Sequence, residues 1–354
     1  MQKAIYFMPD ISGFTNFVNS TEVEHSIHII SELLELLLDN TIIDLQLVEI
    51  EGDALFMFTS KIPSYEKLLE QISVMQEQFH KHTKDYATKR ICNCGSCKTT
   101  INLNVKFLVH YGDLSFIKVK KTVKPYGIDV IKIHKLLKNE VPVDEYILFT
   151  DTTYDLYKNE IDDAWTQTEG IFETISLKYF YKTLEEIETQ VSKDEETVLK
   201  NTNQDGIPFI TLEKTIHANI QILFNYISEL KYRHLWEKGL REIRYDNNRI
   251  NRIGTEHTCV LKLGNLKFET ISDTSSDSLI YGEKSKDILF TKNYYYLIKL
   301  HKIDENSTKL NIDVFLEFSF IGKFIKTYLF KKFTKMWEEK SDNLIKISKD
   351  KIQL

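Results

Sequence analysis

The stretch Phe7–Phe17, FMPDISGFTNF, decides how the first half of the chain is interpreted. An apolar run ends in a carboxylate at Asp10, and a turn with Gly13 leads into an amphipathic helix. A carboxylate next to a buried strand is unfavourable unless it is paired, hydrogen-bonded or bound to a cation. The stretch therefore predicts a site where the first strand ends.

A second carboxylate, Asp53, lies in the next predicted hairpin. The hairpin is predicted because Gly52–Asp53, a turn signal, interrupts the apolar sequence of residues 45–60. If the two strands are neighbours, Asp10 and Asp53 meet at one edge of the sheet. Two close carboxylates repel each other unless a cation lies between them, and hard oxygen ligands suit Mg²⁺. The alternative is structural: Asp10 caps the helix and Asp53 supplies a hairpin turn.

Length and charge limit the classes of function. The 354 residues are enough for two ordinary domains, and the net charge of -6 argues against a general nucleic-acid binder, which needs a basic face. No segment reaches the roughly 18 apolar residues of a spanning helix, and the N-terminus lacks the features of a signal peptide. Three of the four cysteines lie within one hexapeptide, which favours reduced thiols and a cytoplasmic location.

The rhythm of apolar residues predicts an α+β protein with two domains. Residues 1–184 alternate strand and helix in the order β-α-β-β-α-β-β-α-β with a final strand, and Ser64 is a candidate cap for the long second helix. Two of these strands are expected on either side of a turn at Gly112, and residues 145–157 are expected to have strand character. Residues 185–206 are charged and nearly free of large apolar side chains, which predicts a linker. Residues 207–354 predict a strand, two helices, an antiparallel series of strands and a long C-terminal helix over about 321–352.

Four motifs of the first domain carry a family resemblance: DISGFTNFV, EIEGDALFMF, VHYGDL and PYGIDVIKIHKLL. Together and in this order they resemble the class III nucleotidyl cyclase domain, of the DUF2652 type, which implies a ferredoxin-like sheet with packed helices. The resemblance implies Mg²⁺ or Mn²⁺ as cofactor and a purine nucleoside triphosphate as ligand. The positions it assigns are Asp10, Asp53 and the Ile11 carbonyl for the metal, Gly13, Phe14 and Thr15 for the triphosphate, and Glu49 for the purine base.

The later motifs depart from the family pattern. The positions of the usual transition-state asparagine and arginine hold Ile131 and Lys135, and the second base-reading position holds Lys124. Isoleucine has no polar atom there, and lysine lacks the bidentate fork of arginine. Whether the domain is an enzyme therefore stays open: if it cyclises a nucleotide, Lys124, Lys135 or His134 must stabilise the charge. The resemblance also implies a homodimer, because such sites form at a dimer seam.

The three close thiols, Cys92, Cys94 and Cys97, have a spacing that suits zinc. His80 and His82 on the preceding helix, or a partner chain, are the candidates for a fourth ligand. The alternative is three reduced cysteines in a loop. The remaining cysteine and histidines have no ligand spacing and are expected to be packed or surface residues: Cys259, His25, His28, His217, His234, His257 and His301.

The second domain resembles the START-like (SRPBCC) superfamily in its element order and in the stretch TIHANIQILFNYISELKYRHLWEKGLREI. That resemblance implies a helix-grip fold around a cavity for a lipid-like ligand, which the strands NYYYLIKL and DVFLEFSF would line. The alternative is that these aromatic side chains fill an ordinary core. The lysine-rich helix that follows is expected to cover the sheet with solvated lysines rather than to bind a membrane.

Three functions compete at this point. One is a signalling protein whose cyclase-like domain responds to a ligand of the START-like domain. The second is a carrier of an apolar molecule in which the cyclase-like domain serves only for dimerisation. The third is an adaptor that uses neither pocket.

Overall fold

The computed structural model describes most of the chain and divides it into two compact units. The first unit comprises residues 1–87 and 94–190, and the second comprises residues 88–93 and 191–354. The described residues are 2–19, 23–92, 94–172, 175–184, 206–262, 264–272 and 279–349. The predicted linker, residues 185–206, lies outside them except for its last residue.

The first unit is a mixed sheet with packed helices, in agreement with the α+β prediction. Its strands are β1 Gln2–Ser12, β2 Gln46–Glu51, β3 Ala54–Thr59, β4 Asn104–Leu114, β5 Phe116–Val119, β6 Thr122–Pro125, β7 Tyr146–Thr150, β8 Thr166–Phe172 and β9 Ile175–Thr183. Its helices are α1 Phe14–Asn19, α2 Val23–Asp39, α3 Tyr65–Lys89, α4 Gly95–Thr99, α5 Ile128–Leu136 and α6 Asp151–Tyr157. The main sheet has the strand order β2-β3-β1-β4-β7-β9-β8, and β5 and β6 form a separate ribbon.

Strand β1 lies at the centre of this sheet. Its residues from Ala4 to Met8 are fully buried, as expected for a continuous apolar run covered on both faces. It pairs antiparallel with β3 and β4, and the register places Asp10 between Ala54 and Lys106. The predicted juxtaposition of the first strand and the next hairpin is therefore present.

Helix α3 has the amphipathic pattern that its sequence predicted. Its buried residues Leu68, Ile72, Met75 and Phe79 recur at helical spacing and face the core. Ser64 accepts hydrogen bonds at the helix start, because its Oγ lies 3.3 Å from the Lys67 nitrogen. The predicted cap is confirmed.

Three predictions about the first unit are wrong in detail. Strand β1 continues past Asp10 to Ser12. Strand β4 runs straight through Gly112, where we expected a turn; a Cβ at Gly112 would lie 2.6 Å from the Asp129 Cγ, so the glycine allows close approach. Residues 151–157, predicted to have strand character, form α6, in which the Thr153 hydroxyl donates to the Val109 carbonyl.

The second unit is an antiparallel sheet of seven strands within the described residues, in the order β10-β16-β15-β14-β13-β12-β11. The strands are β10 Ile210–Ile216, β11 Leu240–Arg244, β12 Glu256–Leu261, β13 Gly264–Ile271, β14 Leu279–Ser285, β15 Thr291–Asp304 and β16 Ser307–Phe318. The helices are α7 Ile220–Ser228, α8 Arg233–Trp236, α9 Phe320–Phe324 and α10 Lys326–Lys349. The predicted C-terminal helix is thus divided near Ile325, and its expected last residues lie beyond the described range.

Helix α10 packs an apolar stripe against the rest of the second unit. Leu329, Phe333 and Trp337 are buried, whereas Lys331 and Lys335 are exposed, as the pattern predicted. Among the described helices, none combines the length and apolar character needed to cross a bilayer.

Candidate functional site

The two predicted metal carboxylates meet at one edge of the first unit's sheet. Asp10 lies in β1 opposite Ala54, and Asp53 occupies the turn immediately before it. The Ile11 backbone nitrogen donates to the Asp53 carbonyl at 3.2 Å, which ties the turn to β1. Asp10 itself is buried, with 7% of its surface exposed. This arrangement is the one that the spacing of the two motifs predicted.

The pair is electrostatically strained. Burial and, after it, the neighbouring charge of Asp10 together raise the pKa of Asp53 to about 7. Lys106 on β4 partly compensates, because its Nζ lies 3.0 Å from an Asp10 oxygen. Two carboxylates therefore share one ammonium group, and the site retains an excess of negative charge.

The predicted phosphate turn follows directly. Gly13 has a φ of 87°, in the left-handed region that favours glycine, and it turns the chain from β1 into α1. The Phe17 nitrogen donates to the Gly13 carbonyl at 3.0 Å, which closes the first helical turn. Gly13 and Thr15 are exposed and Phe14 is half-buried, so the turn is open to solvent.

The remaining predicted residues line one cavity of about 730 Å³ in the same unit. Glu49 on β2 and Lys124 on β6 form an ion pair there, with Lys124 Nζ 3.1 Å from a Glu49 oxygen. Helix α5 contributes Ile131 and Lys135 to the lining.

His134 Nε2 lies 2.6 Å from a Glu51 oxygen in the same cavity. The ligand atoms of Glu49, Glu51 and His134 lie within 4.8 Å of one another. The cavity therefore combines acidic, basic and apolar groups.

A family model described as "Protein of unknown function (DUF2652)" matches residues 30–146. The uncharacterized protein Rv2561/Rv2562 of Mycobacterium tuberculosis (strain ATCC 25618 / H37Rv) is 32% identical over 145 residues, which are 41% of this chain and 68% of that protein. The chain belongs to the DUF2652 family.

Solved structures similar to this DUF2652 chain include the adenylyl cyclase CyaB from P. aeruginosa, at 15% identity and a TM-score of 0.37, covering 53% of this chain and 97% of that one. Another is the guanylate cyclase domain of RhGC from Catenaria anguillulae in complex with GTP, at 12% identity and a TM-score of 0.36, covering 52% and 98%. A third is norcoclaurine synthase from Thalictrum flavum, at 11% identity and a TM-score of 0.34, covering 41% and 88%.

The predicted site residues of this DUF2652 chain lie in two places. One group is the carboxylate pair with its turn, and the other lines the cavity around Glu49 and Lys124. Sequence reasoning missed Lys106 and Glu51. The alternating pattern of β4 carried a signal for Lys106, because a lysine interrupts the apolar text NVKFLVH opposite Asp10. Glu51 precedes the Gly52–Asp53 turn and was read only as part of a strand.

Two of the candidates for a fourth ligand of the thiol cluster, His80 and His82, contact other residues. His80 Nε2 lies 2.7 Å from Glu145, and His82 Nε2 lies 3.0 Å from Glu32, so both imidazoles have carboxylate partners. Instead, His25 on α2, which we expected to be an ordinary packed or surface residue, lies beside Cys94 and Cys97.

The second unit of this DUF2652 protein contains a buried ion pair that the sequence did not reveal. Arg233 donates to both oxygens of Glu283, at 2.6 and 2.8 Å, and Tyr281 Oη lies 2.5 Å from the same carboxylate. The positive charge of Arg233 lowers the pKa of Glu283 to about 2 despite burial. His257 lies 3.5 Å from Glu283, and burial lowers the pKa of its imidazole.

The second unit also has a largely apolar cavity of about 510 Å³. Leu261, Leu266, Phe290, Tyr328, Phe333 and Met336 are among its lining residues. The strands NYYYLIKL and DVFLEFSF do not line it. Tyr294 and Tyr296 of the first strand are buried in the core instead, and Tyr296 packs against Trp337 with ring centroids 4.6 Å apart. Phe320, at the end of the second stretch, is 76% exposed.

Proposed function

We propose that the first unit binds a divalent cation together with a purine nucleoside triphosphate. The observation that carries this proposal is the Asp10–Asp53 pair, in which burial and, after it, repulsion from Asp10 raise the pKa of Asp53 to about 7. A cation between the two carboxylates removes that repulsion, and a protonated Asp53 gives up its proton when the cation binds. Relief of this repulsion therefore favours binding of a cation at this position.

The donor set fits Mg²⁺ or Mn²⁺. Asp10, Asp53 and the Ile11 carbonyl offer hard oxygen atoms, and Mg²⁺ is commonly held by one or two carboxylates plus substrate phosphates. Lys106, at 3.0 Å from Asp10, neutralises part of the negative charge and weakens binding of the cation alone. The triphosphate supplies the missing charge, and the exposed turn at Gly13, Phe14 and Thr15 is placed directly after the carboxylate strand.

The base is expected to enter the cavity around Glu49. A carboxylate accepts hydrogen bonds from guanine N1–H and N2–H₂, which favours GTP. Lys124 competes for the same oxygens, because its ammonium lies 3.1 Å away. Selectivity for guanine is therefore expected to be modest.

Cyclisation of the nucleotide is expected to be weak, altered or lost. Ile131 lies in the cavity wall with 47% of its surface exposed and offers no polar atom to a developing charge. Lys135, in the same helix, offers a single ammonium group. Losing preorganised polar stabilisation lowers rates by about 10²–10³-fold per group. The first unit is accordingly expected to keep the architecture of a nucleotidyl cyclase and to act by sensing a nucleotide.

Binding of a fluorescent GTP analogue to the full chain in Mn²⁺ tests the proposal. Asp10→Asn and Asp53→Asn are expected to weaken binding at least about tenfold, the effect of about 1.4 kcal/mol of lost interaction. Asp162→Asn is the matched control, because Asp162 lies in the same unit but pairs with Lys182 on the surface. Equal binding by all four proteins, or no binding by the wild type, contradicts the proposal. Mass spectrometry of the same mixtures reports any cyclic product.

For the second unit we propose a START-like role, in which its 510 Å³ apolar cavity binds a hydrophobic molecule that regulates the first unit in a cytoplasmic homodimer. The same cavity supports the alternative function, a carrier of an apolar molecule with a first unit that only dimerises. Extraction of the purified protein followed by mass spectrometry identifies a bound apolar molecule. Met336→Trp, which fills the cavity, is expected to lower its amount. The two functions separate on whether adding the molecule changes nucleotide binding.

A further inference from the structure

The first unit brings a histidine next to two thiols from a distant part of the chain. His25 lies on α2, Cys94 immediately precedes α4, and Cys97 lies within α4. His25 Nδ1 is 3.2 Å from the Cys94 sulfur and 3.6 Å from the Cys97 sulfur. All three ligand atoms lie within 4.8 Å of one another.

These separations are those of a metal site. With Zn–S of about 2.3 Å and Zn–N of about 2.0 Å, tetrahedral angles place neighbouring ligand atoms about 3.5–3.8 Å apart. The His25–Cys97 separation of 3.6 Å falls in that range, and the His25–Cys94 separation of 3.2 Å requires only a small outward shift.

The backbone already supports a thiolate at Cys94. The Cys97 nitrogen donates to the Cys94 sulfur at 3.4 Å, so Cys94 caps α4 through its side chain. A hydrogen bond of this kind orients a ligand and stabilises its negative charge. Cys97 is 2% exposed, and a buried thiolate requires a compensating positive charge.

The chain supplies a third thiol within reach. Cys92 precedes Cys94 by two residues, and two extended residues span about 7 Å. With His80 and His82 held by carboxylates, a complete set of four soft and borderline ligands consists of one imidazole and three sulfurs.

We propose that His25, Cys92, Cys94 and Cys97 bind one Zn²⁺ in a closed tetrahedral site. Four protein ligands leave no open position, so the site is structural rather than catalytic. It links α2 to the start of α4, which leads through the turn at Thr100–Asn102 into β4. The Asn102 carbonyl lies 3.6 Å from where a Cβ of Gly13 would be, so the zinc site supports the segment beside the predicted phosphate turn.

The test is metal analysis of the full chain purified from zinc-supplemented culture. One zinc per chain is expected by native mass spectrometry and by elemental analysis. Replacement by Co²⁺ is expected to give thiolate-to-metal charge-transfer absorption, which each single Cys→Ser change at the three positions lowers by about one third. Loss of the metal on chelation is expected to lower the thermal stability of the protein.

Matched variants separate ligands from neighbours. His25→Gln is expected to weaken zinc affinity by at least about 10- to 100-fold, the loss seen even for outer partners of zinc ligands. His28→Gln on the same helix and Cys259→Ser in the second unit are expected to leave the metal content unchanged. The proposal is overturned if the wild-type chain holds no stoichiometric zinc, or if the two controls lose as much metal as the ligand variants. The cobalt spectrum of the wild type decides the outcome even if a variant fails to fold.

Discussion

The carboxylate pair makes a prediction that needs no bound ligand: Asp53→Asn raises the stability of the protein above neutral pH. The pKa of Asp53 is raised from 3.8 to about 7 in the folded chain. The folded state therefore holds the Asp53 proton more tightly than the unfolded state does, and the stability contributed by this proton is lost as pH rises from about 4 to 7.

The magnitude follows from the same pKa. The full displacement corresponds to about 4 kcal/mol, but Asp53 is only half-buried, and solvent screening reduces the expected effect to about 1–2 kcal/mol. For a unit of this size that is a rise in melting temperature of roughly 2–8 °C at pH 8. Asparagine keeps the shape of the side chain and removes the charge that repels Asp10.

Thermal unfolding of the wild type and Asp53→Asn, in buffers from pH 4 to pH 9 without added divalent cations, measures the effect. The two curves are expected to converge near pH 4 and to separate towards pH 8, with the variant more stable. Asp162→Asn is the control and is expected to retain the wild-type decline above pH 4. Parallel curves for the wild type and Asp53→Asn would refute the reasoning, because Asp53 would then titrate as an ordinary surface carboxyl.

Three further predictions concern other parts of the structure. The double change Ile131→Asn and Lys135→Arg is expected to raise formation of cyclic nucleotide at least about tenfold by mass spectrometry, because it restores two polar groups; an unchanged rate contradicts it. Lys124→Ala is expected to increase the preference for GTP over ATP severalfold in competition binding, because Glu49 loses an ammonium 3.1 Å away; an unchanged ratio contradicts the base-reading role. Glu283→Gln is expected to destabilise the second unit by about 3–5 kcal/mol in thermal unfolding, since it removes the carboxylate that binds the buried Arg233 through both oxygens; the remaining carboxylate neighbour, Glu237 at 3.3 Å, already pairs with Lys340. A loss below about 1 kcal/mol would contradict this.

The hairpin and the first strand were predictable because their signals are local. Gly52–Asp53 breaks an alternating apolar stretch, and β1 is apolar without interruption, so both Asp10 and Asp53 were found. The same local rules gave the wrong answer at residues 151–157, where two threonines favour a strand. There the Thr152 nitrogen bonds to Asp151 and the Thr153 hydroxyl bonds to β4, and these contacts stabilise a helix instead.

The parts that were missed depend on distant segments. His25 is 69 residues from Cys94, and no spacing rule connects them; the packing of α2 on α4 does. Arg233 and Glu283 are 50 residues apart and lie in stretches that read as ordinary amphipathic text. Such contacts depend on the folded sheet, which brings distant residues together. They therefore leave no local pattern in the sequence from which they could be predicted.

The enclosed Arg233–Glu283 pair also limits how the second unit can diverge between chains that share it. Replacing Arg233 alone removes the bidentate partner of the buried Glu283 carboxylate, and replacing Glu283 alone leaves Arg233 only the Glu237 carboxylate, which Lys340 also contacts. Either single variant is expected to be less stable than a fully charged or a fully apolar version. The two positions are therefore expected to be exchanged jointly between related proteins, and most often for a pair of hydrophobic residues of similar volume. Tyr281, whose hydroxyl lies against the same carboxylate, should follow them as a phenylalanine.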